Sequence, residues 1–252
     1  KSYSDFDWNN DETLSGADLR SAAYGNNTFI AGGQKGQIQT GSVNDQGDIT
    51  WSNSNLEVME SIQGLAYGNA GFVAVTGKRG GNDNIPGGSI FFKGDGTKSG
   101  QWESIFTHMT SPEINFYDVA AGNNAFIAVS KEGGIYSIDE GLVANKVTTE
   151  DTKELRAVSY GDGKFIAAGK TGTILHITGT DGGYTVQEFN SVPLKVANLN
   201  GITYGSDVDV WVAGGSLGAL FTSKDGKSWE RVKENPYLAE DNITSLTYGS
   251  GL

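Results

Sequence analysis

A seven-residue phrase that returns six times, each time closed by a glycine, predicts an all-β fold, a β-propeller of four-stranded antiparallel blades. The closing glycines Gly25, Gly68, Gly122, Gly161, Gly205 and Gly249 lie 43, 54, 39, 44 and 44 residues apart. One four-stranded blade needs about 40–45 residues. Composition agrees: 37 glycines and only 4 prolines suit an array of tight turns with few rigid linkers.

The fourth copy shows the elements of a blade in order. Residues 155–160 read as a first strand, ended by the turn Gly161-Asp-Gly-Lys164. The run Phe165-Ile-Ala-Ala168 reads as a second strand, apolar throughout as a strand buried on both faces must be. Gly169-Lys-Thr-Gly172 turns the chain into a third strand at 173–177, and Gly179-Thr-Asp-Gly-Gly183 turns it again into an outer strand at 184–189. Glycine suits such turns because positive φ costs it nothing. Trp51, Trp102, Phe189 and Trp229 recur on outer strands, with Trp8 in the same place before the first full copy. They are expected to pack blade against blade.

Five full repeats are expected in a single domain, at 13–55, 56–106, 107–149, 150–192 and 193–233. Segments 1–12 and 234–252 are expected to be partial blade elements. Residues 243–252 read as an innermost strand that stops at its turn, which favours a six-blade ring cut short over a five-blade closure.

Charge and residue usage exclude several function classes. The formal net charge is −12, so the global field repels nucleic acid and anionic lipid. There is no cysteine, hence no disulfide, zinc-thiolate or thiol nucleophile. No apolar run approaches the length of a membrane span, and no membrane insertion is expected. The polar start Lys1-Ser-Tyr-Ser-Asp5 is not a signal peptide, so an exported protein would be in a mature or trimmed form.

The stretch Phe221-Thr-Ser-Lys-Asp-Gly-Lys-Ser-Trp229 is similar to the Asp-box hairpin of bacterial sialidase-like, BNR-type propellers, whose pattern is Ser-x-Asp-x-Gly-x-x-Trp. This copy lacks the spacer between Asp225 and Gly226. The phrase from Tyr160 to Gly169 resembles repeats of exported and surface propellers of bacteria. The resemblance implies the propeller fold and an extracellular or cell-surface location. It leaves activity open, because the repeat carries enzymes, lectins and assembly factors alike. The Asp boxes are expected to stabilise their own turns.

A sialidase reading requires an arginine cluster, a tyrosine nucleophile and an acid/base aspartate. The chain has four arginines, Arg20, Arg79, Arg156 and Arg231, and only Arg20 and Arg156 share a repeat position. Half of the 10 tyrosines belong to the Tyr-Gly phrase. His108 and His176 occupy unlike places and make no metal site. No catalytic residue, metal or cofactor is therefore expected. The expected function is a non-catalytic binding module for a glycan or protein partner, with a sialidase-like glycoside hydrolase or an assembly factor as alternatives.

The ligand is expected at the axial channel. The second position of each first strand holds Arg20, Gln63, Tyr117, Arg156, Asn200 and Thr244, polar or amphipathic among apolar neighbours. Turns between second and third strands add Lys35, Lys78, Lys131 and Lys170, a basic ring inside an acidic protein. The longest of these turns, 77–88, makes the second repeat the longest. Two arginines favour a carboxylate or other planar anion, which the guanidinium fork grips bidentately. A solvated rim with no ligand is the competing reading.

Overall fold

The structure is a computed structural model. It describes residues 18–68, 71–78, 87–94, 101–106, 114–139, 141–147, 153–180, 183–232 and 241–249. Among these, five four-stranded antiparallel sheets form the blades of a β-propeller. Blade one is β1 (Leu19–Gly25), β2 (Thr28–Gly33), β3 (Gln37–Val43) and β4 (Ile49–Asn55). Blade two is β5 (Ser61–Gly68), β6 (Gly71–Gly77), β7 (Ile90–Gly94) and β8 (Glu103–Phe106). Blade three is β9 (Phe116–Gly122), β10 (Ala125–Ser130), β11 (Ile135–Ile138) and β12 (Ala144–Lys146). Blade four is β13 (Leu155–Gly161), β14 (Lys164–Gly169), β15 (Ile174–Thr178) and β16 (Thr185–Glu188). Blade five is β17 (Leu199–Gly205), β18 (Val210–Gly215), β19 (Leu220–Ser223) and β20 (Glu230–Arg231). In every blade, sequence neighbours pair as a simple meander, and the inner strands β1, β5, β9, β13 and β17 lie side by side in chain order.

The core is divided among the blade junctions, which explains why the second strands are apolar without alternation. In β10, every residue is buried. Phe126 and Ala128 face blade two, packing with Val73 and Ile90, while Ile127 and Val129 face blade four, packing with Leu155 and Phe165. Successive side chains of a strand point to opposite faces, so a sheet sandwiched between two others buries both sets. β14 repeats the pattern, sending Phe165 toward blade three and Ile166 toward blade five.

The Tyr-Gly phrase is a lock between blades. A Cβ on Gly25 would fall within the ring of Tyr67, one on Gly122 within that of Tyr160, and one on Gly161 within that of Tyr204. Each tyrosine therefore rests on the phrase glycine of the preceding blade, and only a bare backbone admits the ring. The same tyrosines pair with second-strand aromatics of their own blade: Tyr24 with Phe29 at 4.4 Å, Tyr67 with Phe72 and Tyr160 with Phe165 at 4.8 Å, and Tyr204 with Trp211 at 4.9 Å.

Residues 241–249 are not assigned to a strand, yet they lie against blade five as each inner strand lies against the blade before it. The Ile243 N–H donates to the Gly215 carbonyl at 3.0 Å. A Cβ on Gly214 would meet Ile243 as one on Gly32 would meet Ile62.

The outer aromatics divide. Trp229 is buried in the junction of blades four and five, and Trp102 packs against that of blades one and two. Trp51, by contrast, is exposed and lies over Gly41 within its own blade, so it does not join two blades. Trp8 lies outside the described residues. In the hairpin after β19, the Asp225 carboxylate accepts from the N–H groups of Lys227 and Ser228 at 2.7 and 2.8 Å and from the Ser223 hydroxyl at 3.0 Å. Its ligands are its own turn. The Ser228 N–H above all, with Lys227 and Ser223, outweighs slight burial and draws this carboxyl down to about 2. His176 is buried, with its Nε2 2.9 Å from the Gly226 carbonyl, and burial lowers its pKa.

Candidate functional site

The five predicted first-strand residues share a local geometry that the sequence does not spell out. At the start of each inner strand the pairing slips by one residue. Leu19 pairs with Gly33 and Ser21 with Gly32, leaving Arg20 between them as the extra residue of a β-bulge. Gln63, Tyr117, Arg156 and Asn200 occupy the same bulge in their blades. A bulge turns its extra side chain away from the ladder. All five are half-buried.

The turns that carry the lysines are pinned beside these bulges. The Lys131 N–H donates to the Asn115 carbonyl at 2.8 Å, and that of Lys170 to the Glu154 carbonyl at 2.9 Å. Gln34 and Ser216 donate likewise to Asp18 and Asn198. Turns and bulges therefore share one face of the propeller. Asparagines just before the inner strands also accept from the turn of the preceding blade: Asn115 from the Lys78 N–H at 2.9 Å, Asn198 from Thr171 and Asn242 from Leu217, each at 3.1 Å. Lys35, Thr171 and Leu217 have φ of 53°, 53° and 55°, a strained conformation that glycine at the next position helps to complete.

The electrostatics of this face differ from a plain basic ring. Glu154 accepts from Arg156 Nε at 2.7 Å and pairs with Lys170 Nζ at 2.6 Å. Burial pushes the Glu154 carboxyl up, but the bonds from Lys170 and Arg156 outweigh it and hold it below its ordinary value. Arg156 also donates to Asn200 Oδ1 at 2.7 Å, while Asn200 Nδ2 donates to the Ile243 carbonyl at 2.9 Å. The two residues thus form a polar chain from blade four across blade five to residue 243. Gln63 Nε2 donates to the Gly77 carbonyl at 3.2 Å. Burial, then the nearby Glu154 charge, raises the Tyr117 phenol.

On the side of blades one and two the face opens into a cavity of about 480 Å³. Arg20, Lys35 and Lys78 line it together with Asp18, Glu60 and Gln34. Gln34 donates to the Asp18 carboxylate, and burial raises the Glu60 carboxyl. Lys131 is exposed in the turn of blade three. The structure therefore brings Arg20, Lys35 and Lys78 into one cavity, engages Arg156, Lys170 and Asn200 in contacts of their own, and leaves Lys131 at the rim. Arg79 and residues 79–86 of the long turn, like His108, lie outside the described residues.

Sequence reasoning missed the acceptors that precede the inner strands, Asp18, Asn115, Glu154, Asn198 and Asn242. Their signal was present one position upstream of the repeated phrase. It also missed Asp118, whose carboxylate accepts the Val119 N–H and, across the blade boundary, the Val158 N–H, both at 2.9 Å. The Ser21 hydroxyl does the same for the Leu65 N–H two junctions earlier, at 2.9 Å.

Fold and face together define a β-propeller with a polar, bulge-bearing face. No protein-family profile matches the chain, and no curated protein does. Among solved structures it is similar to YCF48 bound to D1 peptide, with a TM-score of 0.53 and 14% identity over 85% of this chain and 82% of that one. A likeness at that identity speaks to the fold. Among the described residues no helix is long and apolar enough to cross a membrane.

Proposed function

We propose that the chain is a non-catalytic interaction module that binds an acidic segment of a partner protein on its bulge-bearing face. One observation carries this reading: five structurally equivalent bulges present five half-buried side chains of differing chemistry to one face. A packing position repeated five times has no need of such variety, whereas a recognition surface does. The cavity beside Arg20, Lys35 and Lys78 gives that surface a concavity, and rigid folds hold ligands in such places. A protein ligand is favoured over a glycan because the similar propeller has a peptide bound. An extracellular or cell-surface location accords with the repeat resemblance.

The test uses exposed charges, since Arg156 also joins blades. Labelled 15-residue peptides graded from acidic to basic are titrated by fluorescence anisotropy against the wild type and the double variant Lys35→Glu, Lys131→Glu. Acidic peptides are expected to bind saturably, and the variant to lose at least tenfold in affinity while its Tm stays within about 2 °C, as for surface changes. Binding indifferent to the double variant would place the ligand elsewhere. Turnover of fluorogenic glycosides, abolished by substitution on this face, would establish the hydrolase reading instead.

A further inference from the structure

The third copy of the repeated phrase ends Ala121-Gly122 where the others end Tyr-Gly. Ala121 pairs with Phe126 in the register that elsewhere pairs Tyr24 with Phe29 and Tyr160 with Phe165. Position 121 therefore supplies no ring to Gly68, which the tip of the Phe126 ring approaches instead. A cavity of about 430 Å³ lies at that junction, with Tyr67, Gly68, Ala121 and Phe126 in its lining. Volumes of roughly 300–1,000 Å³ are typical of ligand pockets. It sits at the Tyr-Gly end of the inner strands. That end is about 17 Å from the bulges, from Tyr117 to Gly122 at roughly 3.3 Å per residue.

The rest of the propeller supplies a template for what would fill it. In blade one, the Tyr24 hydroxyl donates to Asn27 Oδ1 at 3.4 Å, from a turn whose Asn26 and Asn27 have φ of 45° and 54°. Blade three has the same turn, Asn123 and Asn124 at φ of 49° and 59°, and Asn124 lines the cavity. Asn124 thus holds the place in its turn that Asn27 holds in blade one, while position 121 carries alanine instead of tyrosine. Asp139, which accepts from the Tyr184 hydroxyl at 3.0 Å, also lines the cavity and sets its charge against an anionic group.

We propose that this gap is a docking site for an unmodified tyrosine side chain of a partner protein, seated on Gly68 with its hydroxyl at Asn124. The site is separate from the bulge-bearing face and stands if that reading fails. The probes are p-cresol, toluene, the capped tripeptide Gly-Tyr-Gly and its phosphotyrosine form, followed by NMR shifts and Tm on the full chain. p-Cresol and the tripeptide are expected to bind at millimolar concentration, to raise Tm and to shift amides around Gly68 and Ala121, while the phosphorylated form binds at least tenfold more weakly. Ala121→Tyr supplies the ring in cis, so it is expected to raise Tm and to abolish both responses. Asn124→Gly, which suits the positive φ, is expected to weaken p-cresol about five- to tenfold, as one lost hydrogen bond does, and to leave toluene unchanged. Absence of p-cresol binding, binding that persists in Ala121→Tyr, or p-cresol binding without tripeptide binding would each overturn the proposal.

Discussion

Asp118 ties two blades together with one carboxylate, and it does so at an electrostatic cost. Its oxygens accept N–H groups from β9 and β13, but enclosure between those strands raises its pKa from 3.8 to about 7, against the lowering effect of the bonds from Val158 and Val119. A carboxyl raised on folding binds its proton more tightly in the native state. Its contribution to stability is thus complete below the unfolded value and lost as pH rises through about 7. His176, lowered by burial, acts with the opposite sign but is common to wild type and variant. The Tm advantage of wild type over Asp118→Asn is therefore expected to shrink from pH 5 to pH 8, and a gap that stays constant over that range would show that Asp118 is ionised throughout. At this scale the sequence revealed the bulge residues, because a polar side chain at the second position of an apolar strand needs a reason. It did not reveal that Glu154, two residues before Arg156, holds both Arg156 and Lys170. In a regular strand, residues two apart share a face, but the bulge between them alters that relation.

At the scale of the element, the inner strand ends in a glycine whose function is to receive a neighbour's ring. Neither Gly68 nor Gly122 has positive φ, so alanine strains no backbone at either site, and the two differ in what the new methyl meets. At Gly122 it falls within the Tyr160 ring, and that ring is itself packed at a tilt against Phe165. At Gly68 it meets the tip of Phe126 at 2.8 Å and Ala121 at 3.3 Å, beside an open cavity. Gly122→Ala is expected to cost about 2–3 kcal/mol, the upper part of the range for overpacking. Gly68→Ala is expected to lie within about 1 kcal/mol of wild type, because strand propensity gained offsets a small displacement. Equal costs in urea denaturation would refute the ring-on-glycine lock. Strand order and the turn glycines were legible because each copy confirms the others. The cavity was not, since Ala121 reads as ordinary drift until the ring it replaces is seen to fill a junction.

For the whole molecule, two electrostatic effects oppose each other, and their sizes decide which governs stability. Ion pairs such as Lys153–Glu188 and Lys164–Asp162 each have at least one well-exposed partner, and exposed pairs contribute roughly 0–1 kcal/mol each. Against them stands a net charge of −12 on 252 residues, whose self-repulsion is spread over every blade. Salt screens both, but the repulsion acts over distances comparable with a Debye length of about 10 Å at 0.1 M, where screening removes most of it, while the contact pair of Glu154 with Arg156 is partly buried and screened less. Tm is therefore expected to rise between 20 mM and 300 mM NaCl. The rise should steepen in the Lys35→Glu, Lys131→Glu variant, where each reversal replaces a positive charge on the same face with a negative one. A Tm that falls with salt in both proteins would show that local pairing outweighs the global field, and would make the acidic composition irrelevant to how the blades hold together.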